Sequence, residues 1–274
     1  MDLSWFKSVH SMRCFGVACF LLLLGTQLSL AQKVKKTVSI SFSHQLFDSL
    51  LQHNVRGGEP YYQGFDTPTF YRYCDSLATV HLDKLHDNEK TAFWLNAINS
   101  CVIRAILLRK GMRSLANYPD FYTRDTFVIA GYRNSLSGLI SKALSLHPHP
   151  YFVFGIFHGA KSDPPLVSRA FHPHNVESVL RSHIRTYLRS DDGAILDIRA
   201  NVLSLPLIFK RYSELWGTDK KKLLVFVRQF LPPEAEAYCA VHGDSLIVQY
   251  SPDNPLLLYR QSSPKQGTIK PWDK

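Results

Sequence analysis

Hydrophobic residues recur at helical spacing in several segments of this chain, most clearly between positions 87 and 111. Asp87 can accept the free amides of a first turn, Arg109 and Lys110 suit the negative end of a helix, and Gly111 can adopt the left-handed conformation that ends one. The wide apolar face between these ends consists of Ala92, Phe93, Ala97, Ile98, Cys101, Val102, Ala105 and Ile106. The pattern predicts a long helix at the centre of the core.

Shorter segments show either helical spacing or the short apolar runs that are typical of strands. Helices are predicted over residues 42–54, 71–82, 136–146, 207–216 and 219–230, and in a segment that Pro173 opens and that ends at Leu188. Strands are predicted over residues 126–130, 151–157 and 246–250, with a hairpin at 195–205 that turns around Ala200-Asn201. Because strict strand–helix–strand alternation is missing, the pattern predicts an α+β fold. We expect a single domain in which the long helix packs on a small mixed or antiparallel sheet.

The N-terminus has the order of a signal peptide. Lys7 and Arg13 precede an apolar run from Cys14 to Leu30, and small residues at Ser29 and Ala31 predict cleavage before Gln32. We therefore expect an extracytoplasmic protein, periplasmic or secreted, with the regions 1–31 (signal peptide), 32–41 (N-terminal tail), 42–250 (globular domain) and 251–274 (C-terminal tail). A transmembrane anchor is the alternative to cleavage, and no later segment predicts a stable span.

The net charge and the cysteine content further narrow the classes of protein to which this chain could belong. The net charge is +10, but the basic residues are scattered along the chain, and an exported protein rarely meets nucleic acid, so nucleic-acid binding is not expected. Cys74, Cys101 and Cys239 remain after cleavage, which allows one disulfide at most. The fold must therefore depend on its core. Cys101, on the apolar face of the long helix, is expected to be a small buried residue rather than a nucleophile.

Polar side chains cluster at two places that could form a site. The loop from His158 to Pro165 offers an imidazole, an amine, a hydroxyl and a carboxylate, from His158, Lys161, Ser162 and Asp163. Chemistry alone does not decide between a site at the end of an element and a rigid turn. Asn96 and Asn99 lie three residues apart in the long helix, where buried amides either line a site or hold neighbouring backbone. We favour the second role.

Two His-x-His pairs, His147/His149 and His172/His174, have a spacing that can present both rings to a metal ion. Neither pair has a carboxylate or cysteine close by in sequence, so surface loops are the favoured interpretation. Phosphate-binding glycine loops, Gly-x-Ser-x-Gly elbows and His-Glu-x-x-His motifs are absent from the sequence. No cofactor is predicted.

Several motifs together resemble domain-of-unknown-function family 547. They are Lys90-Thr-Ala-Phe-Trp94-Leu-Asn96-Ala-Ile-Asn99, Val128-Ile-Ala-Gly131 leading to Ser135-Leu136, Gly159-Ala-Lys-Ser-Asp-Pro-Pro-Leu166, and Ile208-Phe209-Lys210-Arg-Tyr212. Their order and spacing agree with the family from about residue 42 to residue 250. The chain is therefore similar to this family over most of its length.

The chain departs from the family pattern at three reactive positions. The resemblance implies a Cys where this chain has Asp163, and a Glu-His pair where it has Ile140 and Ser141. Cys, His and an acidic residue are what a thiol hydrolase would use. Asp163 cannot act as a thiolate and Ser141 cannot act as an imidazole base, so this chain resembles a member that lacks those groups.

Three hypotheses follow. The first is a non-catalytic domain of the cell envelope or exterior that binds an unknown partner through a cleft lined by Asn96, Lys161, Ser162 and Ser141. The second is a hydrolase with a rearranged site, in which His158 is the base, Asp163 its partner or an acid, and Asn99 a polar stabiliser. The third is a metal-binding protein that uses the two His-x-His pairs.

Overall fold

The long predicted helix is present and is buried on almost all sides. In the computed structural model, which describes residues 42–65, 68–217 and 219–261, it spans Asp87–Leu108, and every residue from Ala92 to Ile103 is buried. The residue at the N-cap is His86 rather than the predicted Asp87, and the His86 backbone amide donates to the Glu89 side chain at 2.8 Å. Asp87 lies in the first turn, where its charge favours the positive end of the helix.

Helices account for most of the regular structure in the described residues. In chain order they are α1 (Gln45–Asn54), α2 (Pro68–Ser76), α3 (Asp87–Leu108), α4 (Leu136–Leu146), α5 (Pro150–Gly155), α6 (Val176–Leu188), α7 (Ile208–Arg211), α8 (Lys220–Arg228) and α9 (Pro233–His242). Single 3-10 turns occur at Tyr62–Gly64, Leu77–Thr79, Leu82–Lys84, Leu115–Asn117 and Ser213–Leu215. Helix α3 packs against α2, α4, α5 and α6.

The strands form small separate sheets. They are β1 (Val55–Arg56), β2 (Glu59–Pro60), β3 (Thr126–Ile129), β4 (Tyr132–Ser135), β5 (Ile195–Asp197), β6 (Val202–Leu205) and β7 (Ile247–Tyr250). The pairs β1–β2 and β3–β4 are antiparallel, while β6 pairs antiparallel with β5 and parallel with β7. Asn201 adopts the left-handed conformation, which asparagine tolerates, in the predicted hairpin turn. The α+β class is confirmed.

Several secondary-structure predictions need correction. Residues 151–157 were expected to form a buried strand, but Pro150–Gly155 is helix α5, because proline fits its first turn and the His149 imidazole accepts from the Tyr151 amide at 3.2 Å. Strand β4 and helix α9 were not predicted. Pro233, expected only to stop α8, also occupies the first turn of α9. Helix α6 begins at Val176, after Asn175, and not at Pro173.

The chain after β7 continues along the surface of the domain. Residues 254–260, which we call the C-terminal strap, form isolated bridges between Leu256 and Ser114 and between Leu257 and Ala160. The Leu258 amide also donates to the Gly159 carbonyl at 2.8 Å. The described part of the predicted C-terminal tail is therefore packed against the domain as far as Arg260.

The predicted signal peptide, residues 1–31, and the predicted N-terminal tail, residues 32–41, lie outside the described residues. Within the described part of the chain, α3 is the one helix that is long and apolar enough to cross a membrane, and 78% of its most apolar window is buried inside the protein, as expected for a core helix. Cys74, Cys101 and Cys239 are buried free thiols.

Candidate functional site

The two helical asparagines hold backbone on either side of the predicted site loop. The Asn99 side chain donates to the Gly155 carbonyl and accepts from the Phe157 amide, both at 2.9 Å. The Asn96 side chain makes the same pair of contacts with the carbonyl and amide of Phe171, again at 2.9 Å. Both side chains are at most 2% exposed. Their position therefore matches the structural role favoured from the sequence.

His158 is buried and both of its ring nitrogens are engaged. Its Nδ1 lies 3.1 Å from the Ile156 carbonyl, which can only accept, so Nδ1 carries the proton. Its Nε2 then accepts from the Tyr212 hydroxyl at 2.7 Å. Burial, followed by the nearby Arg211 charge, lowers the pKa of His158 to about 3. The imidazole is thus a neutral hydrogen-bonding group at physiological pH.

Asp163 is buried as well, and its partner is Arg211 rather than His158. The Arg211 guanidinium donates to Oδ1 of Asp163, while Oδ2 is buried and has no hydrogen-bond partner among the described residues. Burial raises the pKa of the Asp163 carboxyl, and the charge and hydrogen bond of Arg211 oppose that rise. Arg211 is partly exposed, with 32% of its side chain open to solvent. The pair therefore joins a fully buried anion to a cation at the surface.

Tyrosine hydroxyls complete this cluster. Tyr122 donates to the His158 carbonyl at 2.7 Å, and Tyr187 donates to the Ser162 carbonyl at 3.1 Å. Burial, with the Asp163 charge as the next cause, raises the pKa of both phenols, so they stay protonated donors. We call Tyr122, His158, Asp163, Arg211 and Tyr212 the His158–Asp163 cluster.

The remaining predicted site residues lie outside this hydrogen-bonding centre. Ser162 donates to Asp253 at 2.7 Å, and Lys161 is exposed, with its backbone amide bonded to Leu256 in the strap at 2.9 Å. Ser141 is exposed on α4. No hydrogen bond joins Ser141 to His158, Asp163 or Asn99 in the described structure. Where the first hypothesis places a cleft, His158 and Asp163 lie in a packed and buried polar cluster.

Arg211 and Tyr212 were not identified as site residues from the sequence. They are neighbours at the C-terminal end of α7, and each contacts one member of the His158/Asp163 pair. The one sequence feature that could have identified them is their place in the Ile208–Tyr212 motif, as polar residues next to an apolar stretch. Their partners lie about 50 residues earlier in the chain, a separation that periodicity does not report.

The histidine pairs are not brought together into one group. His147 and His149 line a cavity of about 440 Å³ with Tyr151 and Glu177, whereas the rings of His172 and His174 stack on each other at 5.6 Å. Among the described residues no three His, Cys, Asp or Glu side chains are close enough to hold a metal ion.

Removing the Arg211 side chain should leave the buried Asp163 carboxylate without its ion-pair partner. We expect Arg211→Met to lower the free energy of unfolding by about 3 kcal/mol, because an unpaired buried carboxylate is costly. Adding Asp163→Asn to Arg211→Met should recover part of that loss. Urea unfolding of the two single variants and the double variant measures the coupling.

Arg124→Met is the matched control, since the Arg124–Asp120 pair is exposed on both sides and should contribute less than about 1 kcal/mol. A loss for Arg211→Met no larger than that of Arg124→Met would contradict a stabilising role of the buried pair.

His158 should make the fold acid-labile. Its pKa is about 3 in the folded protein and about 6.5 when unfolded, so the unfolded state takes up the proton first as the pH falls. Its contribution to stability is complete above pH 6.5 and is lost progressively below it. Between pH 7 and pH 5 the wild type should lose about 2 kcal/mol more than His158→Gln does.

The comparison uses urea unfolding of both proteins at each pH. His44 and His183, whose pKa values burial lowers to about 3 and about 4, are present in both proteins and cancel in the difference. Parallel pH profiles would show that His158 is not held neutral.

Comparison with known proteins gives one match. Residues 82–188 match the family model described as protein of unknown function, DUF547, a span that contains Asn96, Asn99, His158 and Asp163 but not Arg211 or Tyr212. No curated protein and no solved structure matches the chain. The motifs between Lys90 and Leu166 lie inside this match, and residues 82–188 are assigned to the DUF547 family of proteins of unknown function.

Proposed function

We propose that this chain is an exported, non-catalytic domain that binds a component of the cell envelope or exterior. The observation that carries the proposal is the state of the His158–Asp163 cluster. A base and an acid that could do chemistry are each about 2% exposed and already bonded to other side chains.

Proton transfer needs a base within hydrogen-bond reach of its substrate. The Nε2 atom of His158 already accepts from Tyr212, and a pKa of about 3 leaves the imidazole a weak base. Asp163 bonds to Arg211 and not to His158, so the two do not form the oriented pair that a hydrolase requires. The cluster supports a role in fixing the loop in place.

The hydrolase alternative needs a rearrangement. Both the His158–Tyr212 bond and the Arg211–Asp163 pair would have to open before a substrate could reach either group. For the metal-binding alternative, the described residues contain no group of three His, Cys, Asp or Glu side chains that could hold an ion. Neither alternative has a contact in the described residues that favours it over binding.

Export is supported by the order of charge, apolar run and small residues in positions 1–31. When the chain is produced in a cell with a secretory pathway, we expect the released protein to begin at Gln32. Intact mass and N-terminal sequencing measure this. Ala31→Arg should block processing, because a large charged residue replaces the small one, whereas Gln32→Asn, which leaves the small residues at 29 and 31 in place, should not. Full-length protein retained in the membrane would contradict export of a processed domain.

Absence of turnover is the second expectation. The purified chain is assayed against peptide, ester and glycan panels across pH, beside His158→Gln and Asp163→Asn. Any product formation by the wild type should equal that of both variants, since neither side chain reaches a substrate. Circular dichroism confirms that all three proteins are folded.

A wild-type rate that both variants abolish while remaining folded would overturn the non-catalytic proposal and restore the hydrolase alternative.

A further inference from the structure

A second concave surface lies away from the His158–Asp163 cluster, at the C-terminal end of α3. It is a cavity of about 290 Å³ whose walls come from three parts of the chain that are distant in sequence. Leu107 and Lys110 come from the end of α3 and the turn after it, Tyr62 from an early 3-10 turn, and Leu257 and Tyr259 from the C-terminal strap.

Hydrogen bonds between these segments preform the cavity. The Tyr62 hydroxyl donates to the Leu258 carbonyl at 2.9 Å, and the Leu257 amide donates to the Arg113 carbonyl at 2.9 Å. The Arg113 guanidinium lies over the Tyr259 ring, 5.3 Å from its centroid, and also donates to the Tyr259 hydroxyl. A ligand would therefore meet walls that are already in place, which reduces the entropy cost of binding.

The charge of the walls has one sign. Arg109, Lys110 and Arg113 line the cavity, and none of its lining residues is acidic. Arg109 is accounted for by its ion pair with Asp125 and by the negative end of the α3 dipole. Lys110 and Arg113 form no ion pair with any described residue, and both are exposed. Lys110 is thus available to an incoming anion, and Arg113 can contact it through the guanidinium nitrogens that are not bonded to Tyr259.

Apart from the Gln63 side chain, the rest of the wall is apolar or aromatic. Leu107, Leu257 and the rings of Tyr62 and Tyr259 lie beside the two cations. A bare inorganic ion would contact the charges but not the apolar part of the wall. A ligand with an acidic group on a ring or short hydrocarbon would use both kinds of contact.

We infer that this cavity binds a small organic anion, a phosphate or carboxylate carried on a ring or short apolar group. The inference rests on the proposed function, because it names the ligand class that the binding domain would take. Lys110 and Arg113 bind the acidic group through charge-assisted hydrogen bonds, and the tyrosine rings and leucines contact the apolar part.

Phenyl phosphate is the probe. Its binding to the full exported chain is measured by calorimetry and by the chemical shifts of the aromatic residues. We expect saturable binding that is tighter than that of inorganic phosphate or phenol and that weakens as salt is added. Lys110→Met and Arg113→Met should each weaken binding about tenfold, the loss expected for one charge-assisted hydrogen bond.

Arg185→Met is the matched control, because Arg185 is an exposed cation on α6 outside the cavity, and it should leave binding unchanged. Arg113 contacts the strap, so its replacement could disturb the wall. Lys110 makes no contact of this kind, and Lys110→Met therefore decides. Absence of saturable binding, or equal affinity in Lys110→Met and Arg185→Met, would overturn the inference.

Vesicles separate two sources of the same chemistry. Co-sedimentation with phosphatidylglycerol-containing vesicles, lost in Lys110→Met, would identify a lipid headgroup as the anion, while binding of phenyl phosphate alone would identify a soluble ester. Release of phenol by the wild type would refute the non-catalytic proposal without removing the site. Absence of both binding and release would refute the site and leave the non-catalytic proposal standing.

Discussion

Two buried amides on α3 determine how the middle of this protein is arranged. Asn99 bonds to the backbone on both sides of Ile156, and Asn96 bonds to both backbone groups of Phe171. These contacts fix the start and the end of the segment that contains His158 and Asp163. Each unmade bond would leave a buried donor or acceptor at a cost of about 1–3 kcal/mol, so the segment has little freedom to move away from α3.

The segment held in this way carries its own polar groups into the interior, where α7 supplies their partners. Arg211 neutralises Asp163 and Tyr212 bonds to His158, so one short helix satisfies the two most demanding groups of the loop. The exception is Oδ2 of Asp163, which is buried and has no hydrogen-bond partner among the described residues. A cysteine, implied at this position by the resemblance to the family, would need no such counter-ion. Asp163 at this position is therefore explained together with its ion pair to Arg211.

The same loop also positions the C-terminal strap. Ala160 forms a bridge with Leu257, and Gly159 accepts from the Leu258 amide. Leu257 and Tyr259 of that strap are in turn one wall of the cationic cavity. The packed cluster and the cavity are thus connected through one stretch of backbone. The loop therefore has a structural role in holding the strap in place.

The sequence by itself determined the elements whose boundaries are local. The ends of α3, α4 and α8 and the hairpin at Asn201 were predicted closely, because caps, turns and apolar spacing act within a few residues. Helix α5 was mistaken for a strand, since a short buried aromatic run has no periodicity to distinguish the two. The α+β class followed from the order of these elements, and the resemblance to the family followed from local motifs.

Only the tertiary structure decided what the polar residues do. Sequence placed His158 and Asp163 five residues apart and made them candidate partners, yet each bonds to a residue about 50 positions later. The cavity that joins Tyr62, Lys110 and Tyr259 likewise has no local signal. Burial and long-range pairing are properties of how helices and the strap pack, and no pattern along the chain encodes which distant donor meets which acceptor.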